Sequence, residues 1–224
     1  MRRVVTIDGP AGSGKSTVAR IVADRLGWRL LDTGAMYRAV ALAALRAGLD
    51  LADEKAVGAL ADRLTVSLPP GRVLLDHDDV TAAIRTVEVT RVTRFAADNP
   101  AVRRRLAAWQ RAFAAENDTI TEGRDQGTVV FPDASCKFFL TADPVERARR
   151  RHAEFLSRGE SIPLAEVLRD QEERDARDAS RAIAPLRPAE DATVIDTTGR
   201  TIDEVAAIIE AAARSCRSPE PPAP

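Results

Sequence analysis

Gly9-Pro10-Ala11-Gly12-Ser13-Gly14-Lys15-Ser16-Thr17 is the stretch on which the fold turns. It fits G-x-x-x-x-G-K-[ST], and its flanks supply the context that the pattern needs. Val4-Val5-Thr6-Ile7 before it is a short apolar run that reads as a buried strand, and residues 18–23 after it read as a helix. Strand, glycine loop and helix together make a phosphate-binding loop. Glycines let the backbone curl until successive N–H groups face an anion, and the helix start adds partial positive charge. Lys15 brings a compact ammonium to the outer phosphates, and the Ser16 hydroxyl suits Mg²⁺. The nine residues imply a bound nucleoside triphosphate.

Working outward, five short apolar runs read as strands, at 4–7, 28–31, 119–121, 137–140 and 193–195. Helical patterns separate most of them, which predicts an α/β fold with a five-stranded parallel sheet flanked by helices. The gap between the second and third strands holds an insertion, about 62–116. Within it, 64–68 and 72–76 alternate about Pro69-Pro70-Gly71 as a hairpin, and helices at 87–97 and 101–116 break at Asn99-Pro100. A parallel core does not need this unit, so substrate recognition is its expected role. After the fourth strand, Pro144 opens a charged helix to about 156, and Pro163 starts another to about 179. The polar tip at 157–162 between them reads as an exposed, mobile lid, about 147–165. The expectation is one domain over 1–217, with its core at 1–61 and 117–217. The proline-rich tail 218–224 is expected to be disordered.

Composition narrows the classes. The chain has 224 residues, 45% hydrophobic and 30% charged, with a formal charge of −1. That balance argues against a nucleic-acid coat, although Arg103–Arg105 and Arg147–Arg151 are local basic clusters. All but three of the 33 basic residues are arginine, so an arginine counts only where its position is special. Cys136 and Cys216 lie 80 apart without a C-x-x-C and read as ordinary thiols in a reducing cytoplasm. His77 and His152 are isolated, which leaves a structural metal site little support. No signal peptide or membrane-span pattern is visible, and no apolar stripe is left unassigned, so a cytoplasmic monomer is expected.

A second anion site is legible at other strand ends. Asp32-Thr33-Gly34-Ala35-Met36-Tyr37-Arg38 lies where the second strand gives way to a helix, and Glu122-Gly123-Arg124-Asp125 ends the third. Open α/β sheets bind ligands at that carboxyl edge. Arg38 and Arg124 there suit a phosphate or carboxylate held bidentately. Further on, Arg174, Arg177, Asp178 and Arg181 fall at i, i+3, i+4 and i+7, offsets that share one helix face. A self-paired solvated face would use the same spacing.

Four segments together carry a family resemblance. They are Gly9–Thr17, Asp32–Arg38, Glu122–Asp125 with Gly127-Thr128-Val129-Val130-Phe131-Pro132-Asp133-Ala134, and the Arg-Asp-x-Arg-Asp-x-x-Arg repeat at 174–181 followed by Ala184-Pro185-Leu186. The chain resembles the bacterial cytidylate kinases from Val4 to about Ala212. The resemblance implies the nucleoside monophosphate kinase form of the phosphate-loop fold. It also implies phosphoryl transfer from ATP, with Mg²⁺, to CMP or dCMP. By it, Arg38 and Arg124 hold the acceptor phosphate beside Thr33. Asp125, Arg103 and Arg181 help read the cytosine, and Arg174 and Asp178 approach the ribose. Lys15, Arg38 and Arg124 are the expected catalytic cations. Two positions depart from the family pattern: Thr93 stands near the usual base-contacting serine, and Gln126 follows Glu-Gly-Arg-Asp where an apolar residue is common.

The chemistry fits these residues. A nucleotide monophosphate has a second pKa of about 6, so its attacking oxygen is already an anion at neutral pH and needs no general base. The obstacle is repulsion from the γ-phosphate, roughly 4 kcal/mol per pair of unit charges at about 4 Å and an effective dielectric near 20. Cations at Lys15, Arg38 and Arg124, with Mg²⁺, answer it. Any of Arg147, Arg149, Arg150 and Arg151 is placed to close on the donor from the lid. Another small kinase, for AMP, GMP, UMP or a metabolite, is the nearest alternative. A guanine-nucleotide switch lacks its Asn-Lys-x-Asp segment here.

Overall fold

The structure is a computed structural model and describes residues 2–216. The tail at 218–224 therefore lies outside the described residues. The chain forms two compact units, residues 2–30 with 117–216, and Leu31–Glu116.

The first unit is built on a five-stranded parallel sheet. Its strands are β1 (Val4–Asp8), β2 (Arg29–Asp32, which leads out of the unit), β6 (Thr119–Gly123), β7 (Cys136–Thr141) and β8 (Thr193–Asp196). The order is β2-β6-β1-β7-β8. Asp8 stands opposite Gly123 and Phe139, so the strands end nearly level at the carboxyl edge. One face is apolar. Val5, Ile7, Ile120, Phe138, Leu140 and Ile195 pack there with Val18 and Val22 of α1 (Lys15–Leu26) and with Val205 and Ile209 of α8 (Ile202–Ser215). Their alternation with Thr6, Asp8, Thr119 and Thr121 follows from the two-residue period of a strand.

Two polar side chains on this sheet, Thr121 and Lys137, are buried with partners, whereas the buried Thr6 hydroxyl has none among the described residues. Thr121 donates to Gln126 (2.9 Å), and Lys137 forms an ion pair with Asp191 (2.8 Å) while also donating to the Pro132 carbonyl. Lys137 thus has a structural role, which fits its place in a buried strand. A five-residue π-helical turn at Gln126–Val130 follows β6, and a Cβ at Gly127 would come within 2.9 Å of Thr6 Oγ1. The last helical pair is α6 (Pro144–Ser157) and α7 (Leu164–Ser180), with Asp143 capping the first ahead of Pro144. Arg181 lies just beyond α7 in extended backbone, so the helix face ends one residue short of the expected run.

The two cysteines are not free thiols: Cys136 and Cys216 form a disulfide. Cys136 opens β7 and Cys216 follows α8. A helix that starts after a strand's carboxyl end and returns over the sheet finishes at the amino edge, where β7 begins. A separation of 80 residues hides that adjacency in the sequence.

The second unit is mostly helical, with α2 (Thr33–Arg46), α3 (Glu54–Ala61), α4 (Val87–Asp98) and α5 (Pro100–Glu116). Buried Asn99 joins them: its Oδ1 accepts from Ala101 and Val102 N–H at the start of α5, and its Nδ2 donates to the Glu54 carbonyl of α3. Pro100 costs nothing there, because a first-turn N–H has no helical acceptor anyway. The expected hairpin is present as β3 (Val66–Ser67) against β4 (Leu74–Leu75), but a third strand, β5 (Asp78–Asp79), extends it. Asp76 and His77 join β4 to β5, with φ of 48° and 80°. A two-residue hairpin of matching twist requires positive φ at both central positions. Asp tolerates this, and its carboxylate accepts from Thr65 N–H at 2.7 Å.

Candidate active site

In the first unit the glycine loop leaves β1 and enters α1 at Lys15, with Gly12 and Gly14 at φ of 75° and 85°. Such left-handed positions alternate the peptide planes and turn main-chain N–H groups toward one hollow. Ser13 Oγ and Lys15 Nζ both donate to the Pro10 carbonyl, at 3.0 and 3.1 Å. Ser16 Oγ lies at 3.0 Å from Glu122 Oε1, to which it donates. A hydroxyl and a carboxylate side by side are hard oxygen donors, the pairing that Mg²⁺ accepts when phosphates and water complete its shell.

Around the loop the first unit gathers cations. Arg124 donates to Asp178 at 3.0 Å and to the Gly123 carbonyl. Arg181 reaches the other Asp178 oxygen at 2.8 Å, and Arg174 lies 4.0 Å from the same carboxylate. Arg124, Arg181 and Arg174 hold the Asp178 carboxyl below its usual range, against the opposing effect of burial, so it stays ionised. Lys15 is pushed the other way, to about 7, by burial first and then by the neighbouring Arg124. An anion in this hollow would relieve both effects.

Asp8 and the turn after β6 brace the cluster. Asp8 accepts from the Gln126 and Gly127 N–H groups at 3.0 and 2.8 Å, and burial raises its carboxyl to about 7. Gln126 is itself buried between Thr121, which donates to its Oε1, and Asp125, to which its Nε2 donates at 3.5 Å. The polar side chain therefore occupies its apolar-family position by pairing with both neighbours.

The four arginines of α6 behave differently from one another. Arg147 is buried and donates to the carbonyls of Ala142 and Ala11 and to Asp175. Arg150 grips Thr197, and Arg151 pairs with Glu154, while Arg149 is exposed.

The second unit carries the remaining predicted residues. Asp32 caps α2 by accepting from Ala35 N–H at 2.8 Å, and Thr33 is buried in the first turn. Arg38 lies 3.5 Å from Asp32, and its Nε is buried without an acceptor among the described residues. A buried donor left unpaired costs about 1–3 kcal/mol, which an anionic ligand would recover. Arg103 donates to the Ala97 carbonyl and lies over the Tyr37 ring. The Thr93 hydroxyl donates back to the Val89 carbonyl at 2.6 Å.

Three roles escaped the sequence reading. Glu122 was visible only as part of a motif, yet its carboxylate meets Ser16. Asp8 accepts from two main-chain N–H groups and Gln171 donates to the Ala11 carbonyl at 2.8 Å, and such main-chain contacts leave no residue pattern.

Fold and loop define a phosphate-loop α/β nucleotide-binding protein. The family model described as cytidylate kinase matches residues 5–215. A cytidylate kinase of Rhodopirellula baltica is 46% identical over 95% of this chain and 93% of its own length. One of Bordetella bronchiseptica is 50% identical, covering 90% of each chain. This chain belongs to the cytidylate kinase family. In fold it is similar to the crystal structure of an uncharacterised protein from Eubacterium ventriosum (TM-score 0.54, 12% identity), covering 96% of this chain and 99% of that one.

Proposed function

We propose that the protein transfers the γ-phosphoryl group of ATP to CMP or dCMP, giving ADP and CDP or dCDP. The family match across almost the whole chain carries this reading. An oxygen of the acceptor phosphate attacks the γ-phosphorus, and the bond to the β,γ-bridging oxygen breaks. No proton has to move, because the attacking oxygen is already ionised. Gly9–Thr17 bind ATP, and Ser16 and Glu122 would hold Mg²⁺, which would offset phosphate charge; their 3.0 Å contact supports that pairing. Lys15, Arg38 and Arg124 neutralise the phosphates, with Thr33 beside the acceptor. Asp125, Arg103 and Arg181 read the base, and Arg174 and Asp178 the sugar. The insertion 62–116 serves the acceptor and the segment 147–165 closes over the donor. The enzyme acts as a monomer in the cytoplasm, without nucleic-acid or membrane partners. No helix among the described residues is long and apolar enough to cross a membrane.

An acceptor panel tests the reading. In a coupled ADP-release assay, CMP and dCMP are expected to exceed UMP, AMP, GMP and shikimate in kcat/KM by at least about tenfold, one well-formed polar contact's worth of discrimination. A preference for a purine nucleotide or a sugar-like acceptor would overturn it.

The lowered Lys15 pKa gives a second expectation. Bound phosphate restores the proton to Lys15, so binding takes up a proton where the free amine is neutral. ADP affinity should therefore fall as pH rises above about 7, approaching tenfold per unit, and level off once the bound lysine also deprotonates. Calorimetry in buffers of different ionisation heat would reveal that proton uptake; its absence at pH 8 would contradict the proposed contact.

A further inference from the structure

A phosphate loop works only if its peptide groups are turned the right way. In a trans peptide the C=O and the following N–H point in opposite directions, and the described residues contain no cis bond. Whatever holds a loop carbonyl outward therefore aims the next N–H inward.

Two donors from different helices meet the Ala11 carbonyl. Arg147 Nη1 of α6 reaches it at 3.0 Å and Gln171 Nε2 of α7 at 2.8 Å. Both side chains are more than nine-tenths buried. Arg147 is itself fixed, through Nε to the Ala142 carbonyl at 3.1 Å and through Nη1 to Asp175 at 2.5 Å. Gly12 packs so tightly on this helix that a Cβ would come within 2.8 Å of the Arg147 carbonyl oxygen. The next carbonyl but one is held in the same manner. Thr197 Oγ1 donates to Ser13 O at 3.2 Å while accepting from Arg150 Nη1.

We infer that Arg147 and Gln171 are positioning residues for the donor site: they hold the Ala11–Gly12 peptide with its N–H turned toward the nucleotide phosphates. The inference rests on the reading of this loop as the donor site. It makes Arg147 a fixed brace of the loop, in contrast to a lid arginine that swings onto phosphate. Binding energy is then not spent on turning the peptide, which is the benefit of preorganisation.

Gln171 supplies the test, since its replacement removes one donor while Arg147 remains. Gln171→Met keeps the length and loses the hydrogen bond. It should weaken ADP binding and raise KM for ATP about fivefold to tenfold at every pH, with KM for CMP within twofold of the parent. Gln171→Glu sets an acceptor against the carbonyl when ionised and a donor when protonated. Relative to the parent at each pH, its ADP affinity should be poorest at pH 8 and recover toward the parent below pH 6. Arg147→Lys should also spare KM for CMP. Thermal unfolding midpoints identify any variant that fails to fold, and the two Gln171 variants suffice without Arg147→Lys. ADP affinity within twofold of the parent in both Gln171 variants would overturn the inference, as would equal loss toward both substrates with no pH dependence in Gln171→Glu. If the parent enzyme itself bound no ADP, the donor reading would fall, and the inference with it.

Discussion

Lys15→Ala is expected to lower kcat/KM by about 10³-fold or more with every acceptor, because it removes a cation from the charge that develops in transfer. Lys15 sits buried at the start of α1, with its ammonium resting on the Pro10 carbonyl. Burial and Arg124 together make that site costly for a charged amine until an anion arrives. The alanine variant should therefore be no less stable than the parent near neutral pH. The sign follows from the proton count. Between about 7 and the ordinary lysine value, the unfolded chain binds a proton that the folded chain does not. This residue therefore costs stability most fully below about 7, and its cost shrinks as pH rises through that window. Steady-state rates and unfolding midpoints check both halves, and an inactive but folded variant is the expected result. Retained transfer would mean that the loop does not bind the donor.

Arg124→Ala should lower kcat/KM for CMP by about 10²-fold to 10³-fold, the usual cost of removing a charge-assisted, bidentate phosphate contact. ADP affinity should change far less. Asp178 keeps Arg181 at 2.8 Å, so the buried carboxylate is not abandoned and the fold should survive. Because Arg124 is among the charges that depress Lys15, its removal should also move the alkaline loss of ADP affinity to higher pH. That shift separates an electrostatic role from simple loosening. Arg124→Lys should recover charge but not the planar fork, and so restore only part of the rate. Normal CMP turnover in the alanine variant would remove Arg124 from the acceptor site.

The loop, its strand and its helix were readable because each depends on local pattern: glycines where φ is positive, an apolar run, then a helical period. Other features depend on which segments meet in space. Nothing local marks β5, since Asp76-His77 is a rarer spelling of a turn usually written with glycine. The Cys136–Cys216 bond joins residues 80 apart, and Gln171 acts on a carbonyl 160 positions away. Arg147 illustrates the limit best. Sequence placed it among four equivalent arginines on one helix, and only burial and partners single it out. The acceptor residues were legible through family motifs, because spacing alone would have permitted an ordinary solvated helix at Arg174–Arg181.

All the chemistry of the first unit gathers where its parallel strands finish, whereas the cystine seam fastens the opposite rim, where β7 begins. A reporter dye, a surface linker or a tether placed beside that seam would sit a full strand length from the reacting phosphates. The molecule thus comes with a handle remote from its working end.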